Sequence, residues 1–586
     1  MTAFRMKKRL TYLPERSYLN AFRTAVYVRS SNMLAGFIDG LLTAAFLGAD
    51  AMTAYGIAVT YFTMNAVFSY VLVSGSQLLC SAKIGQNRTE EAKSVFSLSI
   101  WLAFSVSALI TVLGIVYAEP FATFLGARGN GARLAQEAAG YLRFLFMGNV
   151  FHNFVSVSSG ALQMDGGSGL VRISGITCCA VDVVGDLLNI FVFHGGLAGM
   201  GLATAISNIC AAAVLLPYFF RNGRLFSLRP NLIRLQYLPE LFRLGYSQAV
   251  HGIAAFFGNI AINRLIISGA GLHAMFGMTV YKNLFLFINP VCCAIGDATM
   301  LLLGIHIGEC DRSEVDRVLG NSLRMILGLI PVVLLMILLH RPLAGFYAAD
   351  EVAENLRCAQ LAVIALGIQI PFSALFLTAV KGLQALRNSL WSSCMNLAKG
   401  CVFPCALLLL FARTGAAGVF ASVAAAEALA AVLTAVLFQR ERKSSSLLNI
   451  PEENVIRSVI TSEEEAVGFS VSAAEFCKSG GANTRACYSI SLCAEELAIC
   501  LLNYGRANGV KNPTVHMKLF RLDNKIVMRI RDNCPLNNLR LRAEEWSFDD
   551  RNPERFIGTR IALKLSDDFQ YLPLMDESNT VITFQI

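Results

Sequence analysis

Charged residues are scarce in this sequence, and the scarcity is confined to one part of it. They make up 15% of the 586 residues, whereas a typical soluble protein contains roughly 25%. From residue 18 to residue 438, apolar runs follow one another, each about 20 residues long and therefore able to cross a bilayer. A wholly soluble protein is excluded. Residues after 438 have ordinary soluble composition, so the sequence predicts a membrane domain followed by a soluble one.

Cysteine-based motifs are also missing. The sixteen cysteines are scattered, several of them inside apolar runs, and none stands in a CxxC or Cys/His ligand spacing. We therefore expect neither a disulfide framework nor a metal site. The net charge of +9 comes largely from short loops, as membrane orientation requires, so no nucleic-acid partner is expected.

Twelve membrane spans are predicted, and the basic loops orient them. Loops after spans 2, 6, 10 and 12 are rich in Lys and Arg, whereas 194–196 and 269–273 have none. The positive-inside rule then predicts a multi-pass protein of the inner (plasma) membrane with both termini in the cytoplasm. The predicted spans are 22–47, 55–82, 95–118, 139–163, 170–193, 197–220, 240–268, 274–306, 319–340, 358–380, 390–411 and 416–438.

An acid pair lies inside the fifth apolar run. Asp182 and Asp186 are four residues apart and share one helix face, which Asn189 extends. An unpaired acid at bilayer depth costs roughly 2.5–3.5 kcal/mol on insertion scales, so two on one face indicate a function. Because such a pair can take up and release protons, we hypothesise a cation-coupling site. The alternative is a hydrogen-bonded pair that only holds helices together.

The membrane part repeats itself at a nearly constant offset. The segment 48–56 resembles 269–277, Ile84-Gly85 resembles Ile307-Gly308, and Ala161-Leu162-Gln163 resembles Gly382-Leu383-Gln384. The offsets are 269 − 48 = 221, 307 − 84 = 223 and 382 − 161 = 221. Two six-span halves in one orientation predict pseudo-symmetric lobes with a transport pathway between them.

These repeats, together with Gly199-Met200-Gly201-Leu202-Ala203-Thr204 at the start of span 6, resemble the multidrug and toxic compound extrusion (MATE) family over about residues 18–438. The resemblance implies antiport, in which a cytosolic compound leaves as protons or sodium ions enter. It also implies an ion site in the N-terminal lobe, and the matching residues here are Asp39, Asp182, Asp186 and Thr204. Asp182 stands where an Asn is commoner in the family.

The C-terminal lobe offers no equivalent acid cluster by sequence. Lys282, Gln248 and Glu427 are candidate residues of a substrate cavity, and Glu427 is the lone acid candidate there. Lysines facing a cavity would suit an anionic or zwitterionic substrate. For Lys381 and Lys399 we favour a different interpretation, in which their long side chains reach the membrane interface.

The soluble tail alternates helical and strand-like segments. Tyr488 to Tyr504 is predicted as an amphipathic helix, and Val515 to Leu522 and Ile526 to Ile530 as strands joined by a turn at Asp523-Asn524. A helix from Phe556 to Leu565 and a strand from Thr580 to Ile586 follow. This order predicts an α/β sandwich with a mainly antiparallel sheet.

Three short segments of the tail resemble the GHKL (Bergerat-fold) ATPases, most closely the anti-sigma-factor kinases. They are Glu495-Glu496-Leu497-Ala498-Ile499-Cys500, Arg531-Asp532-Asn533-Cys534-Pro535 and Ile557-Gly558-Thr559-Arg560-Ile561. The resemblance implies a degenerate nucleotide site at Glu496, Cys500, Asp532, Gly558 and Arg560. Cys500 replaces the family's Mg²⁺-binding Asn, and Cys534 and Arg560 replace glycines. Phosphoryl transfer is therefore disfavoured, and either ATP binding without turnover or a protein-binding role is expected.

Together these features predict lobes at 1–220 and 221–438, a linker at 439–450 and a cytoplasmic domain at 451–586. The predicted function is secondary transport, not enzyme catalysis. A cation-coupled (H⁺ or Na⁺) antiporter would export small organic compounds through the lipid bilayer, with a cytosolic regulatory protein as a further candidate partner of the tail. Two alternatives stay open: a membrane-tethered sensor of the anti-sigma type with a transporter-like receptor part, and a flippase for lipid-linked substrates.

Overall fold

The computed structural model describes residues 12–125, 132–221, 223–347, 353–448, 452–522, 525–535, 557–574 and 577–585. They divide into two compact units. The first, called the membrane unit below, contains residues 21–162 and 169–447. The second, called the α/β unit, contains residues 448–586 together with 163–168 and residues up to 20.

The membrane unit is helical throughout. Three helices continue into a π-helical turn, at Thr43–Leu47 after α1, at Asn189–Phe193 after α6 and at Ala398–Val402 after α13. The helices that make up this unit, the first of which begins in the other unit, are α1 (Tyr12–Leu42), α2 (Gly48–Gly85), α3 (Thr89–Val116), α4 (Ala118–Leu125), α5 (Ala132–Met164), α6 (Ser168–Leu188), α7 (Gly196–Phe219), α8 (Leu238–Gly308), α9 (Arg312–Leu327), α10 (Ile330–Leu338), α11 (His340–Tyr347), α12 (Ala353–Ala385), α13 (Ser389–Leu397), α14 (Phe403–Phe411) and α15 (Ala416–Ser444).

Helical segments cover all twelve predicted ranges, although not as twelve separate helices. The 71-residue α8 covers the seventh and eighth ranges and breaks at Gly271, whose φ of 80° suits a residue without Cβ. Within the described residues, eleven helices are long and apolar enough to cross a membrane. One of these, Thr484–Ala507, belongs to the sheet-containing unit, so the number of membrane crossings stays a prediction.

The predicted internal repeat is also present in the backbone. Left-handed or otherwise positive φ angles occur in matching pairs at Gly48 and Gly271, Asn87 and Cys310, Gly166 and Arg387, and His194 and Gly415. Their offsets are 271 − 48 = 223, 310 − 87 = 223, 387 − 166 = 221 and 415 − 194 = 221. The offsets after Ile84-Gly85 and after Ala161-Leu162-Gln163 equal the sequence offsets of those segments, because the same turn follows the same helix in each half. Gly48 instead matches Gly271, two residues beyond Gly269, with which the sequence comparison aligned it.

Helices α2 and α8 bring the two halves into close contact. A Cβ on Gly85 would lie 2.1 Å from the Ile305 carbonyl oxygen, and one on Gly308 would lie 2.4 Å from that of Ala82. Both distances are far below van der Waals contact with a rigid backbone atom. The end of this helix pair is therefore packed backbone to backbone, which explains the repeated glycines that the sequence showed.

The α/β unit contains one five-stranded antiparallel sheet in the order β1-β2-β3-β5-β4. Its core combines Phe469 and Phe476 with Leu497, Met528 and Ile582. Within the described residues, the elements of this unit are β1 (Val455–Ile460), α16 (Glu463–Ser479), α17 (Thr484–Ala507), β2 (Val515–Leu522), β3 (Lys525–Asp532), α18 (Ile557–Leu565), β4 (Asp568–Leu574) and β5 (Glu577–Gln585).

The local predictions for this unit are confirmed. The predicted helix at 488–504 lies inside α17, and the predicted strands lie in β2, β3 and β5. The helix predicted from Phe556 is α18. The Asp523-Asn524 turn, Phe556 itself and the last residue, Ile586, lie outside the described residues.

Candidate functional site

Three buried carboxylates meet between α1 and α6. Asp39, Asp182 and Asp186 are 6%, 3% and 0% exposed, and Asp39 faces both of the others closely enough to interact with each. Among the described residues, no donor reaches either oxygen of Asp186 or Oδ1 of Asp39. Carboxylates have no hydrogen to donate to one another unless one of them is protonated. A shared proton or a bound cation would provide a partner for these oxygens.

Helix α7 adds hydroxyl groups to this cluster. Ser207 Oγ donates to Asp182 Oδ1 at 3.1 Å, and Thr204 also interacts with Asp182. Thr204 Oγ1 donates to the Met200 carbonyl at 3.3 Å, which fixes its orientation. The sequence predicted Thr204 but not Ser207, which lies one turn further along α7. A single serine in an apolar helix carries no signal that would mark it as a site residue.

Two tyrosines border the same cluster. Tyr55 on α2 and Tyr141 on α5 lie near enough to interact electrostatically with all three aspartates. Their rings are 5.7 Å apart. The Tyr55 hydroxyl donates to the Gly36 carbonyl at 3.2 Å, and Tyr141 is completely buried. Side chains of five helices, α1, α2, α5, α6 and α7, therefore meet at the acids.

Asn189, predicted as part of the coupling site, makes its hydrogen bonds to the turn between α6 and α7. Its Nδ2 donates to the Gly196 carbonyl at 2.9 Å, and its Oδ1 accepts from the Gly195 amide at 3.1 Å. A Cβ on Gly199 would lie 1.8 Å from that Oδ1. The side chain thus closes the turn between α6 and α7, and its contacts explain why Gly199 begins the motif that opens span 6.

The C-terminal half contains a charged cluster that sequence analysis missed. Asp297 on α8 accepts from Arg29 through Oδ2 and from Lys381 through Oδ1. The prediction that Lys381 reaches the membrane interface is wrong, because its side chain is only 7% exposed and ends on this carboxylate. An acid inside an apolar run was visible in the sequence, but its partners come from two distant helices.

Glu427 and Lys399 form a second buried pair. Their N–O distance is 2.7 Å, an ion pair rather than a well-aligned hydrogen bond, and the side chains are 8% and 16% exposed. Lys399 Nζ also lies 4.4 Å from the centroid of the Phe376 ring. The interface position predicted for Lys399 is therefore wrong. Glu427 is also not the lone acid candidate of this half, because Asp297 is a second one.

The two remaining candidates for the substrate cavity, Gln248 and Lys282, lie in different places. Gln248 lines a cavity of about 370 Å³ together with Arg29, Asp297, Lys381 and Lys399, and its Nε2 donates to Gln384 Oε1 at 3.2 Å. Lys282 is not among the residues that line this cavity. It is half-buried and donates to Asn263 Oδ1 at 3.1 Å.

In the α/β unit, the candidate nucleotide residues come from three elements. Asp532 at the end of β3 is 2% exposed, and its Oδ1 accepts from the Cys534 amide at 3.0 Å. Burial raises the pKa of Asp532 to about 7. Cys500 on α17 lies 3.8 Å, Sγ to Oγ1, from Thr559 on α18, and burial raises its pKa as well. These two helices therefore meet at residues that belong to the first and third sequence segments.

For the other candidate nucleotide residues, Glu496, Gly558 and Arg560, the structure gives the element and the burial but fewer direct contacts. Glu496 is half-buried on α17 and lies near enough to Cys500 to interact with it electrostatically. Gly558 and Arg560 lie in the first turn of α18, where Arg560 is half-buried. Cys534 Sγ donates to the Leu501 carbonyl at 3.4 Å, so the side chain that replaces a glycine is turned into the core. Among the described residues, no group of three or more His, Cys, Asp or Glu is arranged to hold a metal ion.

Comparison with known proteins finds relatives of the membrane unit. Residues 28–187 match the MatE family model. The multidrug export protein MepA of Staphylococcus aureus (strain bovine RF122 / ET3-1) is 21% identical over 407 residues, which cover 68% of this chain and 88% of that protein. MepA of Staphylococcus saprophyticus is 21% identical over 416 residues, covering 69% and 91%.

Solved structures of low sequence identity share the fold. A MOP superfamily transporter from Pyrococcus furiosus superimposes with a TM-score of 0.69 at 16% identity, covering 76% of this chain and 98% of that one. The Vibrio cholerae MATE transporter VcmN superimposes with a TM-score of 0.69 at 17% identity, covering 75% and 99%. The membrane unit therefore has the fold of the MATE transporters, and the comparisons support a MATE-type secondary transporter rather than an enzyme.

Proposed function

We propose that the membrane unit is a cation-coupled antiporter that exports small organic compounds while protons or sodium ions enter. The observation that carries this proposal is the cluster of Asp39, Asp182 and Asp186. An acid held in a membrane unit without a cationic partner costs free energy, so its retention indicates a transported ion. The relatives named as multidrug export proteins support export of small compounds.

Coupling follows from where the acids lie. An ion or proton at the cluster satisfies oxygens that the protein leaves without donors, so it draws α1 toward α6. Its release lets the like charges separate the same helices. Because a ligand shifts a conformational equilibrium only by its differential affinity for the two states, the cluster must be tighter in one state of the transporter than in the other.

The close contact of α2 with α8 gives the second element of alternating access. With twelve crossings and both termini in the cytoplasm, Gly85 and Gly308 lie at the cytoplasmic ends of these helices. The two lobes must separate there to admit a cytosolic compound, and the backbone contact closes that route in the arrangement described here.

Transport by the full-length protein in liposomes tests this proposal. A pH or sodium gradient should drive movement of a panel of organic cations and anions, and Asp186→Asn should reduce the flux about hundredfold because the residue can no longer bind the ion. The matched control is Asp50→Asn, an exposed acid in the first turn of α2. Gradient-independent flux, or equal flux in wild type and Asp186→Asn, contradicts the proposal. The gradient that drives flux identifies the coupling ion.

We also propose that the α/β unit regulates transport by binding ATP without turnover or by binding a cytosolic protein. Support comes from Asp532, which is buried next to a turn. Burying a carboxyl group costs free energy that an apolar residue at the same position would not, so its presence there indicates a binding role. Binding of a fluorescent ATP analogue to the full-length protein, with and without Mg²⁺, tests the first alternative. If wild type transports nothing and the tail captures one cytosolic protein, the membrane unit is a sensor. Flux restricted to lipid-linked compounds would instead identify a flippase.

A further inference from the structure

The cavity in the membrane unit carries an excess of positive charge. Three cationic side chains line it, those of Arg29, Lys381 and Lys399, and Asp297 is the acid among its lining residues. Glu427 adds a second carboxylate through its pairing with Lys399. Among the Arg, Lys, Asp and Glu side chains, three cations against two carboxylates leave one positive charge.

The excess arises because one carboxylate is shared. Arg29 and Lys381 approach different oxygens of Asp297, whereas Lys399 has Glu427 to itself. A single carboxylate balances only one of two cations. The Lys381 and Lys399 side chains are 7% and 16% exposed and that of Arg29 is 34% exposed, so the remaining charge is partly shielded from water and favours an anion as its counter-ion.

The rest of the lining suits the body of an organic molecule. Tyr70 and Phe285 contribute aromatic surface and Leu377 aliphatic surface, while Gln248 and Asn289 offer neutral hydrogen-bonding groups. The volume of about 370 Å³ falls within the range of about 300–1,000 Å³ for small-molecule sites. An inorganic ion would leave most of this surface without contacts.

We propose that this cavity binds a monoanionic organic compound whose carboxylate, sulfonate or phosphate group is held by Lys381 and Arg29. The proposal deepens the proposed function and rests on it, because it names the substrate class of the exporter. Asp297 holds both cations in place when the cavity is empty and shares them with the anion when it is filled.

Equilibrium dialysis of the full-length protein in detergent tests the charge preference. The probes are 2-naphthalenesulfonate and the naphthyltrimethylammonium ion, which have the same ring system and opposite charge. Wild type should bind the anion at least tenfold more tightly than the cation. Lys381→Met should reduce anion affinity about tenfold and leave cation affinity unchanged or raised, while Lys381→Arg should retain anion binding. Arg29 still pairs with Asp297 in these variants, so neither leaves an acid without a partner.

Two controls separate charge from general disturbance of the cavity. Lys399→Met/Glu427→Gln removes one cation and one acid together, so the net charge is unchanged and anion affinity should change less than threefold. Lys443→Met removes an exposed lysine outside the cavity and should have no effect. The proposal is overturned if wild type binds the two probes equally, or if Lys381→Met and the double variant lose the same affinity. Should Lys381→Met not fold, the wild-type preference alone decides.

Failure of this inference and failure of the proposed function give different results. Binding in detergent needs no ion gradient. If gradient-driven flux of organic cations depends on Asp186 but the anionic probe does not bind, only the inference fails. If the anionic probe binds with the expected charge dependence but no gradient drives flux, the antiport function fails and the anion site stands.

Discussion

The two halves of the membrane unit repeat the same backbone turns but differ in whether their buried acids are paired with cations. In the N-terminal half, Asp39, Asp182 and Asp186 are buried together, and the structure shows no cation paired with them among the described residues. In the other half, Asp297 and Glu427 both contact lysines. Acids without a cationic partner can bind and release an ion, whereas acids paired with Lys or Arg hold those cations in position. The proposed coupling acids therefore lie in the N-terminal half alone, whereas the charged cavity is lined by residues of both halves, with Arg29 from the N-terminal half and Lys381 from the other.

The largest expected effect comes from removing the shared acid. Asp297→Asn leaves Arg29 and Lys381 facing each other without a counter-charge, so the free energy of unfolding should fall by about 3–5 kcal/mol. Thermal unfolding of the detergent-solubilised protein measures this. Asp186→Asn should cost less than about 1 kcal/mol, because it removes an acid that already lacks donors.

A surface pair provides the control for that comparison. Asp316 contacts Arg442 with its side chain 51% exposed, so Asp316→Asn should change stability by less than about 1 kcal/mol. If Asp297→Asn and Asp186→Asn destabilise the protein equally, the distinction between paired and unpaired acids is wrong.

The second prediction concerns a lysine placed next to an acid of the N-terminal half, as Lys399 lies next to Glu427 in the other half. Cys178 corresponds to Lys399 at the repeat offset, since 399 − 178 = 221, and its Sγ lies 3.7 Å from Ser207 Oγ beside Asp182. Cys178→Lys should give Asp182 a permanent counter-ion. We expect coupled flux to fall at least thirtyfold, about 2 kcal/mol, with the melting temperature unchanged or raised.

Cys178→Met is the matched variant of similar length without charge, and it should keep at least a third of the flux. Equal loss in the two variants would mean that size rather than charge disturbs the site. Full flux in Cys178→Lys would mean that Asp182 does not participate in coupling.

The acid pair and the repeat were predictable because both are local or periodic signals. Asp182 and Asp186 stand one helical turn apart in an apolar run, and the repeated turns differ by 221 to 223 residues in sequence and backbone alike. The Arg29–Asp297 contact joins residues 268 positions apart. Nothing local to either residue specifies the other, and for the same reason the directions of Lys381 and Lys399 were mispredicted.

The α/β unit shows the same limit. Buried and partly exposed residues alternate in β2, whereas nearly every residue of β3 is buried. Two apolar segments separated by the Asp523-Asn524 turn signal in the sequence nevertheless predict a hairpin. The pairing of β1 with β2 and the position of β4 beside β5 depend on contacts between distant segments. Single-sequence patterns therefore identify the strands and leave the order of the sheet open.

Asp532 extends the comparison to an acid outside the membrane unit that has no cationic partner among the described residues, and its expected effect is the smallest. Burial raises its pKa from 3.8 to about 7, so the folded state holds a proton that the unfolded state releases. The resulting stability is complete below pH 3.8 and is lost as pH rises through 7. Between pH 6 and pH 8 the α/β unit should lose roughly 1–2 kcal/mol, and Asp532→Asn should remove this dependence because the amide stays neutral. Hydrogen exchange of β3 and β5 peptides in the full-length protein, corrected for intrinsic rates, measures the loss, with the half-exposed Asp568→Asn as control. An unchanged pH dependence in Asp532→Asn would show that Asp532 is stabilised by its turn and that burial without a cationic partner does not by itself mark a functional acid in this protein.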